Sequence, residues 1–358
     1  MKIVHIIESG GGSADFVLYL VKYLPQHHHI IIYGERTFGN RINDVKLSYS
    51  NATFFQWKHV QREISLTKDI KATRSLFQLL RKMDYDLVHV HSSKAGFLGR
   101  FVCYFFGRKK VIYTPNGLPF IRTDISPLKV KIYIFLEKTA NWLCGKIICC
   151  SKSEANELIK KGINCSFINN GTEIDEYLQD GTDYLDTNFT IATVGRATIQ
   201  KNPFLFNEIA QKFESDPRYK FVWIGGGELE HVLTAKNIKI TGWLNKDSVN
   251  KELVDANLYI STASWEGLSF AVLEAMNLNK ALLLSNCVGN VDLVVNNQNG
   301  FIYNNIQEAI DGIKTMNNNL KMIEEFGMNS GMLAAKEFNV KFMANQYEIE
   351  YEKIINHA

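Results

Sequence analysis

Short apolar runs, most of them continuous rather than alternating, recur along the chain between stretches of helical periodicity. Residues 3–7, 29–33, 86–91, 110–114 and 146–150 read as strands buried on both faces, as in a parallel sheet, with a shorter one at 53–56. Residues 14–23, 67–82, 125–148 and 153–161 read as helices, and in the second of these Ile70, Leu76, Phe77 and Leu80 mark the inner side. The pattern restarts with strands at 189–194, 219–224, 258–261 and 281–285, a short strand and loop at 238–243, and helices over 270–278 and from 306 to the end. Residues 36–66 are polar and irregular, and 180–188 are polar with an Asp-Gly turn, which puts a domain boundary at 182/183. Two successive strand–helix alternations predict an α/β chain of two Rossmann-like domains.

The chemistry concentrates between the strands at 258–261 and 281–285, in Ser264-Trp265-Glu266-Gly267-Leu268-Ser269-Phe270 and onward to Glu274-Ala275-Met276. In a parallel sheet this loop opens on the carboxyl edge, where α/β folds bind ligands, and Ser269 is suited to cap the helix that follows. A helix N-terminus there suits a phosphate. Carboxylates accept hydrogen bonds and donate none, so Glu266 ahead of the helix and Glu274 inside it suit the hydroxyls of a ribose and a hexose. Upstream, strand 189–194 ends in Gly195-Arg196, with Lys201 five residues on. Two cations on one loop can neutralise a departing diphosphate without a metal.

The first half adds three more edges. Strand 3–7 runs into Gly10-Gly11-Gly12, but Asp15 stands where the third glycine of a G-x-G-x-x-G dinucleotide fingerprint would be. Glu35 follows the second strand, so a dehydrogenase reading stays open here. Strand 86–91 ends in His91-Ser92-Ser93-Lys94; His89 reads as a core residue, while His91 and Lys94 are candidates to touch substrate. Strand 110–114 ends in Pro115-Asn116-Gly117.

With these residues in view the chain resembles the GT4-type family of retaining glycosyltransferases. The resemblance rests on Glu266-Gly267-Leu268-Ser269 with Glu274-Ala275, on Gly195-Arg196 with Lys201, on His91-Ser92-Ser93-Lys94-Ala95-Gly96, and on Asn170-Gly171-Thr172-Glu173-Ile174-Asp175 as a hinge strand. It implies the GT-B fold, two facing Rossmann-like domains over 1–182 (acceptor) and 183–338 (nucleotide-sugar), with a terminal helix at 339–358 crossing back to the first. It also implies a metal-independent transfer from a nucleotide-sugar, preferentially a UDP-sugar, with no cofactor. By the same resemblance Arg196 and Lys201 hold the diphosphate, Glu274 the ribose and Glu266 the sugar. Gly267, Leu268 and Ser269 offer backbone N–H groups, Gly11 and Gly12 lie against the donor phosphates, and backbone near Gly242 and Trp243 holds the base. Many relatives have a histidine at Asn116; an amide cannot exchange a proton near neutral pH, which fits a reaction in which the leaving phosphate takes the acceptor's proton.

Composition changes the picture in two places. Residues 1–161 carry 25 Lys and Arg against 12 Asp and Glu, while 162–358 carry 15 against 25. A basic first domain without a nucleic-acid motif points to an anionic substrate or an anionic membrane face, and a helix near 125–148 mixes lysines with aromatics. The expected acceptor is a glycan or a polyprenyl-diphosphate-linked sugar, as in O-antigen or capsule assembly. The six cysteines form no C-x2-C pair and read as reduced core residues of a cytosolic protein. No signal peptide is expected ahead of the first strand, and no apolar stretch is long enough to span a bilayer. Two rivals stay open: a nucleotide-sugar epimerase of the same build, and a non-catalytic nucleotide-sugar binder.

Overall fold

The structure is a computed structural model that describes residues 1–8, 10–35, 37–38, 41–61, 64–107, 110–174 and 188–356. The expected boundary at 182/183 and Asp175 of the hinge motif lie outside the described residues. The chain divides into two compact units, one of residues 1–121, 125–170 and 340–358, the other of 122–124 and 171–339.

The first unit is built on β1 (Lys2–Ile7), β2 (His28–Gly34), β3 (Ala52–Trp57), β4 (Leu87–His91), β5 (Val111–Thr114), β6 (Lys146–Cys149) and β7 (Ser166–Phe167). All pairings are parallel, in the order β3-β2-β1-β4-β5-β6-β7. The helices are α1 (Gly12–Tyr23), α2 (Ile42–Ser48), α3 (Leu66–Leu80), α4 (Ser93–Phe105), α5 (Pro127–Leu143) and α6 (Lys152–Ile159). Helix α5 is shorter than the periodicity predicts, ending at Leu143 ahead of Gly145, whose φ of 100° a helix cannot hold. On α3 the inner face is Ala72, Leu76 and Leu80; Ile70 is exposed, and Phe77 is partly exposed and stacks on Phe106 with ring centroids 4.4 Å apart. The inner stripe therefore follows the i, i+4 row through Ala72, and Ile70 and Phe77, an i, i+7 pair, fall together on one flank of it.

The two faces of this sheet differ. Val4, Ile6, Val88 and Val90 join the apolar core with Ala72, Leu76, Leu98 and Val102 of α3 and α4. The opposite face carries His5, His89 and His91, with Phe16 of α1 beside them. Covering that face is the last helix of the chain, α12 (Val340–Asn356), which belongs to this unit. Tyr351 and Tyr347 reach in from it to His89 Nδ1 (2.8 Å) and Thr114 Oγ1 (3.2 Å), and Glu348 and Glu350 pair with His27 and Lys146. Phe342, on the same helix, is exposed.

The second unit repeats the plan with β8 (Phe189–Val194), β9 (Tyr219–Ile224), β10 (Ile238–Ile240), β11 (Leu258–Ser261), β12 (Ala281–Ser285) and β13 (Gly300–Tyr303). Their order is β10-β9-β8-β11-β12-β13, again all parallel. Around them lie α7 (Pro203–Gln211), α8 (Lys246–Val254), α9 (Phe270–Asn277), α10 (Ile306–Asn317) and α11 (Leu320–Glu337). In each sheet the chain order reverses between two central strands, β1 and β4 or β8 and β11. The carboxyl ends of those strands are where such folds bind ligands.

Among the described residues no cysteine forms a disulfide; Cys103, Cys149 and Cys150 are buried, whereas Cys144, Cys165 and Cys287 are only half-buried. The expectation of six core cysteines is corrected for these three, which sit at element ends. Among the described residues no helix is long and apolar enough to cross a membrane.

Candidate functional site

At the reversal point of the second sheet, the loops after β8 and β11 are fastened to each other. Ser264 N donates to Gln200 O at 2.8 Å, and Thr262 Oγ1 donates to Lys201 O at 2.8 Å. Asn202, in a left-handed conformation, caps α7 through Leu205 N and so ends the first loop just after Lys201. Lys201 therefore points back across the loops: its Nζ lies 2.7 Å from Glu266 Oε1 and 3.3 Å from Ser269 Oγ. The other Glu266 oxygen accepts from Gln200 Nε2 at 3.3 Å, and the same amide reaches Trp265 O at 3.2 Å.

The Glu266 carboxylate favours the charged form of Lys201. Burial works against the Lys201 ammonium, yet the adjacent Glu266 carboxylate carries its pKa above the usual lysine value. Close by, burial and the Glu266 charge push the Cys287 thiol up to about 12, so it stays protonated. Ser269 takes the position ahead of α9 as expected, but its side chain caps nothing; the hydroxyl accepts from Lys201 instead. Glu274 is half-buried on α9. Arg196 is exposed, and Gly242, with φ of 67°, bridges to Gly225 beside the largely exposed Trp243.

Three residues of this site had no role in the sequence reading. Gln200 holds the Glu266 loop by both its backbone and its side chain. Gly289, with φ of 85°, backs the same loop so tightly that a Cβ there would lie 2.5 Å from Gly267 O. Asn290 ties β11 to β12 through Ser261 Oγ and Ser285 Oγ, and Ser285 Oγ donates to Ala263 O at 2.6 Å.

The first unit holds the other candidates. Gly11, with φ of 83°, precedes α1, and both Gly11 and Gly12 are exposed. Glu8, at the end of β1, accepts from Ser92 Oγ and from Ala95 N, which caps α4 and holds Ser92 at φ 66°, ψ 166°. That backbone region is costly for any residue but glycine. Lys94, expected to meet a phosphate, is instead paired with Asp69 at 2.7 Å, both side chains largely buried. Asn116 sits beyond β5 at φ 52°, and neither amide atom has a hydrogen-bond partner among the described residues.

His91 is fully buried at the end of a relay whose polarity is set by its far end. Leu24 O can only accept, so His29 Nε2 donates to it (3.0 Å) and its Nδ1 is bare. His5 Nε2 must then donate to His29 Nδ1 (3.0 Å), and His91 Nε2 to His5 Nδ1 (3.0 Å). This leaves His91 Nδ1 as a buried lone pair with no partner among the described residues. His5, His89 and His91 each bring a nitrogen within 4.8 Å of the others, the spacing of a metal cluster. However, every other nitrogen of the three is already hydrogen-bonded, His89 to Tyr351 and Thr114. Burial lowers all four pKa values, to about 4 for His29 and about 3 for His91, in keeping with a neutral relay.

Comparison with known proteins decides the family. Residues 175–330 match the model described as glycosyl transferases group 1, and residues 10–176 match glycosyltransferase family 4. The UDP-Gal:alpha-D-GlcNAc-diphosphoundecaprenol alpha-1,3-galactosyltransferase of Escherichia coli is 33% identical across 70% of this chain and 71% of its own. This chain belongs to the group 1, family 4 glycosyltransferases. The capsular polysaccharide glycosyltransferase CapM of Staphylococcus aureus is 22% identical across 84% of this chain and 85% of its own. Among solved structures, sucrose-phosphate synthase from Thermosynechococcus elongatus matches with a TM-score of 0.82 at 13% identity, each chain covered in full. Anabaena HepE, solved with UDP-glucose, matches at 0.79 and 18% identity over 99% of this chain and 100% of its own. These likenesses show the GT-B fold expected from the sequence, and membership of a glycosyltransferase family displaces the dehydrogenase reading.

Proposed function

We propose that the protein is a retaining, metal-independent glycosyltransferase that moves a sugar from a UDP-sugar to a polyprenyl-diphosphate-linked or glycan acceptor in O-antigen or capsule assembly. The observation that carries this reading is the convergence of Lys201, Glu266 and Ser269 at the N-terminus of α9. The galactosyltransferase relative, whose name specifies a UDP-sugar and a diphosphoundecaprenol acceptor, supports the substrate class. In this reading Arg196 and Lys201 hold the diphosphate, Glu274 the ribose, and Glu266 the transferred sugar. Gly267, Leu268 and Ser269 add backbone N–H groups, Gly242 and Trp243 flank the base, and Gly11 and Gly12 lie along the phosphates. Asn116 contacts the reacting sugar, whereas His91, expected on the acceptor side, is fully buried beneath that edge and touches no acceptor. The bond from the anomeric carbon to the phosphate oxygen breaks as the bond to the acceptor oxygen forms, and the acceptor's proton passes to the departing phosphate. Two cations stabilise the charge that develops there.

A lipid-linked acceptor reacts at a membrane face, and α4 and α5 carry a surface suited to one. Trp142 and Phe135 are 77% and 68% exposed, Tyr104 packs 6.3 Å from Trp142, and Lys129, Lys131 and Lys138 are exposed on the same helix as that tryptophan. Interfacial aromatics with neighbouring lysines favour an anionic bilayer.

The test is transfer from a panel of UDP-sugars to a sugar-diphosphate lipid in EDTA, with the product's anomeric configuration read by NMR. Transfer with retention supports the proposal. Epimerised UDP-sugar without acceptor would mean an epimerase, and binding without turnover a non-catalytic binder.

A further inference from the structure

Arg122 lies in the three-residue segment 122–124, which packs with the second unit although its chain neighbours belong to the first. Its Nε and Nη2 donate to the two carboxylate oxygens of Asp124 at 2.9 and 2.7 Å. Its guanidinium carbon stands 5.8 Å from the ring centre of Trp265, within cation–π range. Trp265 is the residue before Glu266, and its carbonyl is held by Gln200. A carboxylate along one edge and an aromatic ring against the guanidinium fix this planar cation beside the loop that carries Glu266. Its side chain nevertheless stays 28% exposed.

We propose that Arg122 binds the diphosphate of a sugar-diphosphate acceptor. The inference rests on the transferase reading above. In such an acceptor the sugar is joined directly to the diphosphate, so two more phosphates lie one sugar ring away from the hydroxyl that reacts. Arg196 and Lys201 are assigned to the donor's phosphates, and Lys201 also faces Glu266. A second diphosphate near the Glu266 loop therefore calls for another cation within a sugar ring's reach. A guanidinium carries five N–H donors in one plane and matches phosphate geometry better than an ammonium does. Asp124 sets the plane of that fork, and the Trp265 ring keeps it from swinging into solvent. No bond to Arg122 is made or broken; it selects and positions the acceptor.

The experiment compares two acceptors, a sugar diphosphate with a short alkyl tail and the same sugar as a plain alkyl glycoside, in the parent and in Arg122→Gln. The parent should prefer the diphosphate. Arg122→Gln should raise its KM for that acceptor about tenfold or more, the scale of a lost charge-assisted phosphate bond, with UDP affinity and glycoside KM within about twofold of the parent. Arg122→Lys keeps the charge and the aliphatic stem, should fall between the two, and guards against a glutamine variant that folds poorly. If Arg122 only pins the segment 122–124, the variants lower Tm and leave the ratio of the two KM values unmoved, which overturns the inference. Equal use of both acceptors by the parent overturns it too while the transferase reading stands. Absence of transfer from any UDP-sugar to either acceptor overturns that reading and the inference with it.

Discussion

Lys201 Nζ lies 2.7 Å from Glu266 Oε1, so the cation assigned to the donor diphosphate and the carboxylate assigned to the donor sugar neutralise one another. Lys201 holds Oε1, and Gln200 Nε2 holds the other carboxylate oxygen at 3.3 Å. An incoming diphosphate must compete with Glu266 for Lys201. An incoming sugar hydroxyl finds an acceptor already in place.

This competition separates two variants. Glu266→Gln removes the competing charge, so UDP affinity should hold or rise while turnover falls. Lys201→Ala should lose a charge-assisted bond of about 1.5–3 kcal/mol, roughly ten- to a hundredfold in UDP affinity, and leave Glu266 buried without its cation. Calorimetric titration with UDP beside initial rates reads both. Equal weakening of UDP binding in the two variants would sink the competition argument.

Asn116 holds a left-handed conformation at the carboxyl end of β5 with both amide atoms unpartnered among the described residues. Asn116→Gly accepts that backbone without strain, so the fold should be kept and only what the amide does for the substrate should disappear. A fall in kcat of about tenfold, worth about 1.4 kcal/mol of transition-state stabilisation, is expected with Tm nearly unchanged. Wild-type kcat in this variant would remove Asn116 from the site.

Gly289 tests the packing behind the Glu266 loop. A methyl group there would sit 2.5 Å from Gly267 O at a φ of 85°. Gly289→Ala should therefore cost about 1–3 kcal/mol and shift the loop, lowering activity more than a surface substitution would. Denaturant unfolding together with transfer rates checks it; a variant with parental values in both would show that the two loops are free to separate.

Much of this was legible because it is local. Continuous apolar runs marked the strands, and Glu266 through Glu274 lie on one loop and one helix, so their spacing alone reports their chemistry. Gln200 and Gly289 were not legible, since each matters only through a loop at least 22 residues away in the chain. Lys94 was misjudged for the same reason: its partner, Asp69, comes from α3. His5, His29 and His89 each look like single residues in apolar strands, and His91, a substrate candidate by its place at a strand end, is buried with them. Only the parallel registers of β1 with β2 and β4 bring them together.

That relay makes the first unit acid-sensitive. His29 and His91 have pKa values lowered to about 4 and about 3, and His5 and His89 lie well below 6.5, with burial the leading cause in each. Well above pH 6.5 these groups are neutral folded and unfolded, and contribute no pH dependence. As the pH falls below 6.5 the unfolded chain takes up protons that the native relay refuses, so stability drops, and continues to drop until the folded pKa values are reached. Each such histidine removes up to about 1.4 kcal/mol per pH unit in that window. Urea unfolding between pH 7.5 and 5.0, above the range where most carboxylates titrate, should show a steep loss, and replacing His29 with Gln should make it shallower. A stability that stays flat over that interval would mean that the imidazoles are charged, or solvated, in the native protein.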